Sequence, residues 1–232
     1  MENDLTIPGQ NPPQPALHGD QLKFPLPLKW VAHFFSFIFH PLFIPAIATW
    51  FLAFVQPGYF TGIDPKNKWL IVIQVAYNTI FFPAITVLLL KGLGFIKSIL
   101  LNTQRERIIP YIATNIFYFW IFLVLNHQAE MPSILTSFIF GIFLASSAGL
   151  IANIYFKVSM HALGAGALCG LILIIIFSGF SYPVFSLSAL AFLIAGVVGT
   201  SRLIVSNHTP FEIYSGILIA ILCQVIAYAF FG

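Results

Sequence analysis

The sequence predicts an all-α protein, a polytopic bundle of six to eight transmembrane helices, with seven as the best count. Of the 232 residues, 59% are hydrophobic and only 7% are charged, which is less charge than a soluble domain carries. The apolar runs are also long enough to cross a bilayer as helices. They are continuously apolar, whereas the strands of a transmembrane β-barrel alternate apolar and polar residues.

Polar or turn-forming breaks divide the apolar sequence into candidate spans. These spans cover residues 30–54, 67–90, 109–126, 133–155, 160–181, 185–205 and 210–231. Within the first span, His40-Pro41 and Pro45 predict a kinked or re-entrant element. Ahead of it, residues 1–28 are polar and rich in proline, and we expect a flexible tail because such a segment cannot bury a core. The transmembrane domain is therefore assigned to residues 29–232.

Small residues in two of the spans predict close helix packing, because a missing side chain lets two backbones approach each other. They are Gly164, Gly166 and Gly170 in the fifth span, and Gly196 and Gly199 in the sixth. Both spans are therefore expected to pack closely against neighbouring helices.

The order of the spans places three polar clusters on one side of the membrane. With alternating spans, the breaks at residues 91–107, 157–159 and 206–209 share a side with the N-terminal tail. All Lys and Arg residues except Lys66 and Lys68 lie on that side. Because Lys and Arg favour the cytoplasmic side, we expect an integral protein of a plasma membrane, such as the bacterial inner membrane, with these clusters facing the cytoplasm.

The most informative stretch runs from Ser201 to Glu212, between two long apolar runs, and it contains Arg202 and His208. Ionisable side chains are costly at membrane depth and therefore point to function. An arginine fork suits a phosphate, an imidazole can attack phosphorus, and a carboxylate near the imidazole can fix its tautomer. The chemistry that this stretch predicts is the handling of a phosphate group.

A structural interpretation of the same residues stays open. Thr209, Pro210 and Glu212 fit the N-cap, N1 and N3 positions of a capping box, in which Glu212 only satisfies backbone amides. Arg202 would then be a side chain that snorkels to the interface, and His208 an ordinary histidine at headgroup depth.

A second cluster opens the fifth span with Lys157, Ser159 and His161. Lys157 and His161 are four residues apart, so they share a helix face if the helix already runs there. Ser159 can instead be the N-cap of that helix, where free backbone amides bind anions. The alternative is a snorkelling lysine, a capping serine and an interfacial histidine.

The third cluster, before the third span, contains Arg105 and Arg107. Both are candidate phosphate ligands, because the planar arginine fork matches phosphate oxygens. A positively charged cytoplasmic loop in which Glu106 balances part of the charge explains them equally well.

Two of these clusters resemble known signatures. The sequence Ser201-Arg202, five residues, His208, three residues and an acid resembles the third signature of the type-2 phosphatidic acid phosphatase superfamily, which has Asp where this chain has Glu212. Val158-Ser-Met-His161 is similar to its second signature, Pro-Ser-Gly-His, with valine and methionine in place of proline and glycine. The first signature, Lys, six residues and Arg-Pro, matches poorly, since seven residues separate Lys97 from Arg105 and no proline follows directly.

The resemblance implies a lipid phosphatase that works through a phosphohistidine and needs no metal and no cofactor. By that resemblance, His208 attacks the phosphorus, Glu212 orients His208, and His161 protonates the leaving group. The residues expected to hold the phosphate oxygens are Arg202, Ser201, Ser159, Lys157, and Arg105 or Arg107.

The expected substrate is a phosphomonoester or diphosphate of an amphiphilic lipid, which reaches the site sideways from the bilayer. Phosphatidic acid, an isoprenoid diphosphate and a lipid A-type phosphate fit equally well. The net charge of +3, without a basic run, argues against nucleic acid as a partner. Two alternatives stay open: a catalytically weak relative that binds, flips or transports an anionic lipid, and a structural membrane subunit. The superfamily's better-known members often face outward, which leaves the side of the membrane open as well.

Overall fold

The computed structural model describes residues 24–96, 98, 104–179, 184–206 and 208–232, and within these ranges every regular element is a helix. In this part of the chain, six helical segments are long and apolar enough to cross a membrane. The predicted all-α bundle of transmembrane helices is therefore confirmed. The segments are Pro65–Gly92, Glu106–Asn126, Ser133–Tyr155, Met160–Phe177, Ser186–Val205 and Pro210–Phe231.

Nine α-helices are present in the described residues. They are α1 (Leu26–Ile38), α2 (Ile44–Trp50), α3 (Pro65–Ala76), α4 (Phe82–Gly92), α5 (Gln104–Asn126), α6 (Ser133–Tyr155), α7 (Met160–Phe177), α8 (Val184–Val205) and α9 (Pro210–Phe231). A π-helical turn, Phe51–Val55, extends α2, and a second one, Tyr77–Phe81, joins α3 to α4 into a single span. A 3₁₀ turn, Pro57–Phe60, lies between α2 and α3.

The first predicted span is interrupted at His40-Pro41, and its two parts are separate short helices. Proline has no amide hydrogen and disfavours helical geometry at the residue before it, which here is His40. Pro45 lies in the first turn of α2, where the missing amide hydrogen has no helical partner to lose. Helix α1 starts at Leu26, so the last three residues of the predicted tail are helical. Residues 1–23 of the predicted tail lie outside the described residues.

The two short helices form a hairpin whose bend contains His40. Residues of α1 from Leu28 to Phe35 share a groove with α8 residues from Phe192 to Ile204. Ser36, near the end of α1, hydrogen-bonds to Arg202, near the end of α8. Only helices that run in the same direction can make both contacts, so α1 is parallel to α8.

The second arm of the hairpin leads away from the bend. Pro41 lies against Gly164 in the first turns of α7. Tyr59, which follows α2, hydrogen-bonds through its hydroxyl to Ser178 just beyond the end of α7, at 2.8 Å. Lys29, seven residues before Ser36, therefore lies about 10 Å further along the bundle from the polar clusters than Ser36 does. Helices α1 and α2 therefore form a hairpin where the sequence predicted one span over residues 30–54.

Helix α7 is the most buried of the six spans, and α9 packs along it and along α6. A side chain at Gly166 would meet the backbone of Ile217 in α9, and one at Gly170 would meet Gln224. The prediction of close packing is confirmed for these glycines of the fifth span. It is wrong for Gly196, which faces open space because it lies on the exposed groove between α1 and α8.

Candidate functional site

A cavity of about 580 Å³ lies at the end of the bundle where α1 and α8 finish and α7 and α9 begin. Its polar end is formed by His40, Arg107, His161, Arg202 and His208. Its walls are mostly apolar, with side chains that include Phe37, Leu42, Val87, Leu88, Ile142 and Leu163. A cavity of this size is typical of small-molecule sites. The three polar clusters of the sequence, although far apart in the chain, each contribute a side chain to it.

His208 is held by the carboxylate of Glu212. Nδ1 of His208 lies 2.8 Å from Oε2 of Glu212, and the His208 side chain is only 3% exposed. A carboxylate accepts hydrogen bonds, so the proton of the neutral imidazole is on Nδ1 and the lone pair is on Nε2. Burial lowers the pKa of His208 below 6.5, although the hydrogen bond to Glu212 acts in the opposite direction. His208 is therefore a neutral, oriented imidazole near pH 7.

Glu212 also caps helix α9. Its side chain accepts a hydrogen bond from the Thr209 amide at 3.1 Å, and the Thr209 hydroxyl accepts one from the Glu212 amide at 3.3 Å. Both interpretations of Glu212 from the sequence therefore describe real contacts. The cap fixes the first turn of α9 and thereby fixes the carboxylate that orients the imidazole.

His161 is anchored to the end of α1. Its Nε2 lies 3.1 Å from the backbone carbonyl oxygen of Ser36. This carbonyl has no helical partner, because α1 ends at Ile38 and the His40 amide donates to Phe37 instead. The imidazole must donate to a carbonyl, so Nε2 of His161 carries a proton and Nδ1 is the nitrogen that exchanges protons.

Arg202 reaches the same residue from α8. Its Nη1 donates to the Ser36 hydroxyl at 3.4 Å, and its Nε is buried and has no hydrogen-bond partner in the described part of the chain. A buried guanidinium with an unsatisfied N–H donor is costly unless a ligand or water completes it. Arg202 is therefore prepared to bind an anion.

Arg107 lies in the first turns of α5 and is buried, with 5% of its surface exposed. Its Nη1 donates to the carbonyl oxygen of Val158 at 3.1 Å, which ties α5 to the segment that precedes α7. The same face of α5 lines the cavity below it with Tyr111, Thr114 and Tyr118. Of the two arginines that the sequence offered, Arg107 lines the cavity. The side chain of Arg105 lies outside the described residues.

Three other predicted phosphate ligands do not line the cavity. Ser159 is fully buried, and its hydroxyl accepts the Ala162 amide at 3.4 Å as the N-cap of α7. Ser201 is buried in the groove between α1 and α8, on a different face of α8 from Arg202. Lys157 is half-buried beside the cavity, and burial, with Arg107 nearby, lowers its pKa. The hydroxyls of Ser159 and Ser201 therefore do not line the cavity.

The α1–α2 hairpin supplies two residues that were not singled out from the sequence as site residues, Ser36 and His40. The ring of His40 packs edge-to-face on His161, with 5.2 Å between ring centroids. Burial, with Arg202 nearby, lowers the pKa of His40 to about 4. A histidine beside a proline inside an apolar run was the available signal, because an ionisable residue at membrane depth points to function.

The cavity is electropositive. Among the described residues that line it, two are arginines, four are histidines and none is Asp or Glu. Over the same part of the chain, no three His, Cys, Asp or Glu side chains come together as a metal site would need. A buried and a half-buried guanidinium without a lining carboxylate favour an anionic ligand with several oxygens, such as phosphate.

The chain was compared with protein families, curated proteins and solved structures, and no significant match was found in any of the three comparisons.

Proposed function

We propose that this protein is an integral-membrane phosphohydrolase that cleaves the phosphomonoester or diphosphate of an amphiphilic lipid. The observation that carries the proposal is the oriented His208–Glu212 pair at the basic end of a cavity that also holds Arg107, Arg202 and His161. A neutral imidazole with a free Nε2 is a nucleophile for phosphorus, and fixed guanidiniums stabilise the charge of the phosphoryl group. The likeness of the sequence to the type-2 phosphatidic acid phosphatase signatures supports the same chemistry.

In the first step, Nε2 of His208 attacks the terminal phosphorus and forms an N–P bond, while the bond from that phosphorus to the leaving oxygen breaks. The leaving group is the lipid alcohol of a monoester or the lipid monophosphate of a diphosphate. The leaving oxygen takes a proton from Nδ1 of His161, whose charged form is stabilised by the bound phosphate anion and whose Nε2 proton stays with the Ser36 carbonyl. Glu212 stabilises the positive charge that develops on the His208 ring. Arg107 and Arg202 bind the non-bridging oxygens, where negative charge is concentrated.

In the second step, water attacks the phosphorus and gives a proton to the neutral Nδ1 of His161. The N–P bond breaks, its electron pair returns to Nε2 of His208, and inorganic phosphate leaves. Both imidazoles then have the protonation states with which the cycle began. The protein's own cations neutralise the phosphate in this scheme.

The shape of the cavity favours a lipid over a soluble phosphate. Below the basic end, the walls contributed by α4, α5 and α6 are mainly apolar. Helices α1 and α4 both line the cavity, and exposed Phe37 and Leu88 stand on these two helices. A hydrocarbon tail therefore has an apolar path from the bilayer to the site, and burying it contributes about 0.8 kcal/mol per CH₂ group.

The test is phosphate release by the purified protein in detergent with EDTA present, given phosphatidic acid and an isoprenoid diphosphate. Wild type should release phosphate from at least one of the two. His208→Ala should lower turnover by at least about a thousandfold, because the nucleophile is removed. His127→Ala, which changes an exposed histidine at the far end of α5, should match wild type. Absence of release by folded wild type, or full activity of His208→Ala, contradicts the proposal.

A second candidate function is binding or translocation of an anionic lipid without hydrolysis. Met160 lines the cavity where the resembling signature has glycine, and the Ser159 hydroxyl is committed to capping α7. Both features reduce the room and the donors available to a reacting phosphate. Lipid binding by wild type that survives in His208→Ala, without phosphate release by either protein, would support this function over the first.

A further inference from the structure

His40 stands at the bend of the α1–α2 hairpin and lines the cavity together with His161, Arg202 and His208. It belongs to none of the three polar clusters of the sequence, and it is brought to the site by the chain break that Pro41 enforces. The Ser36 contacts with Arg202 and His161 hold the end of α1 against α7 and α8. The position of His40 is therefore fixed relative to the two residues that it adjoins.

A hydrogen bond of the His40 ring shows which of its two nitrogens is available to a ligand. Nδ1 accepts the Leu42 amide at 3.4 Å, and the proton of the neutral ring therefore sits on Nε2. In the described part of the chain, Nε2 makes no hydrogen bond. The edge-to-face contact with His161 fixes the ring plane, with an interplanar angle of 85°. His40 is thus a preorganised neutral N–H donor at the basic end of the cavity.

We propose that His40 is a further phosphate-binding residue, which donates a hydrogen bond from Nε2 to a phosphate oxygen of the lipid headgroup. This inference rests on the proposed function, since it assigns a ligand contact within the same site. A neutral donor suits this position, because Arg107 and Arg202 already supply two positive charges. It also compensates for Ser159 and Ser201, whose hydroxyls do not line the cavity.

Two substitutions separate the contact with phosphate from the role of His40 in the bend. Asparagine at position 40 places its carbonyl oxygen near Nδ1 of the imidazole, so His40→Asn keeps an acceptor for the Leu42 amide but loses the donor. Glutamine extends its amide nitrogen to about the position of Nε2, so His40→Gln keeps the donor. His127→Ala serves as the matched control, because it removes an exposed imidazole remote from the cavity.

The first readout is the inhibition constant of inorganic phosphate against lipid phosphate hydrolysis, with KM and kcat measured separately. A hydrogen bond to a charged acceptor predicts an inhibition constant and a KM for His40→Asn about tenfold higher than in wild type, with a smaller change in kcat. His40→Gln should recover most of that loss. Equal values for wild type and His40→Asn, or equal losses in both variants, overturn the proposal.

The second readout does not depend on turnover. Inorganic phosphate and phosphatidic acid should each raise the unfolding temperature of the detergent-solubilised wild type, because a ligand that binds only the folded state stabilises it. The shift should be smaller in His40→Asn and should return in His40→Gln. If wild type hydrolyses nothing but shows this pattern, the phosphohydrolase proposal fails and the assignment of His40 stands. If neither ligand shifts wild type, the assignment of His40 is wrong.

Discussion

His208 and Glu212 are joined by a hydrogen bond of 2.8 Å across the start of α9, and the same Glu212 oxygen accepts the Thr209 amide. One carboxylate thus caps a helix and orients an imidazole. Because the capping box fixes the first turn of α9, the carboxylate is held in place beside the imidazole. The two functions of Glu212 can be separated by substitution.

Glu212→Gln should lower kcat by about a hundredfold to ten-thousandfold, because the neutral amide no longer stabilises the charged His208 ring. Thr209→Ala removes the other half of the capping box. It should lower the free energy of unfolding by about 1 kcal/mol but leave kcat near the wild-type value. Phosphate release and thermal unfolding of both variants in detergent check this. If the fall in kcat of each variant is proportional to its loss of unfolding free energy, Glu212 acts only as a helix cap.

The acidic limb of the pH profile should report His208. The neutral imidazole is the reactive form, so kcat/KM should fall as the pH drops through the pKa of His208, which burial holds below 6.5. The Glu212 carboxylate raises that pKa, and Glu212→Gln should therefore move the limb to lower pH. The profiles of the two proteins are compared on one substrate, so that titration of the substrate phosphate cancels. An unchanged limb, or a limb that moves to higher pH, contradicts the assignment of His208 as nucleophile.

Arg202 and Ser201 are adjacent in sequence but lie on different faces of α8. Arg202→Met should raise the inhibition constant of inorganic phosphate at least about tenfold, because a charged donor to phosphate is lost. Ser201→Ala should leave that constant within about twofold of wild type, since Ser201 lines the groove between α1 and α8. Inhibition assays on the two variants check the pair. A large effect of Ser201→Ala would place the phosphate on the other face of α8.

Two glycines test the packing of the bundle. A methyl group at Gly166 would meet the backbone of Ile217, which cannot move aside like a side chain, so Gly166→Ala should lower stability by about 1–3 kcal/mol. Gly196 faces open space on the groove between α1 and α8, so Gly196→Ala should be neutral or stabilise α8 by up to about 1 kcal/mol. Thermal unfolding in detergent measures both. Equal effects of the two substitutions would contradict the close contact between α7 and α9.

The hydrophobic sequence by itself determined that this chain is a bundle of membrane-spanning helices, because each span must be continuously apolar and satisfy its own backbone hydrogen bonds. It also predicted the capping box of Thr209 and Glu212, which holds the Glu212 carboxylate at the start of α9 next to His208. The break at His40-Pro41 followed from the geometry of proline. These features are local, and local chemistry suffices to predict them.

The tertiary structure decided which side chains share the cavity. The sequence offered Ser159 both as a helix cap and as a phosphate ligand, and only the structure shows that its hydroxyl is the cap of α7 and that Ser201 lies in the groove with α1. The sequence predicted a break at His40-Pro41 but could not show that the resulting hairpin of α1 and α2 brings Ser36 and His40 to His161 and Arg202. The physical reason is that helix direction and rotation are set by contacts between distant segments, such as the close approach of α9 to Gly166, and an apolar run is compatible with many such arrangements.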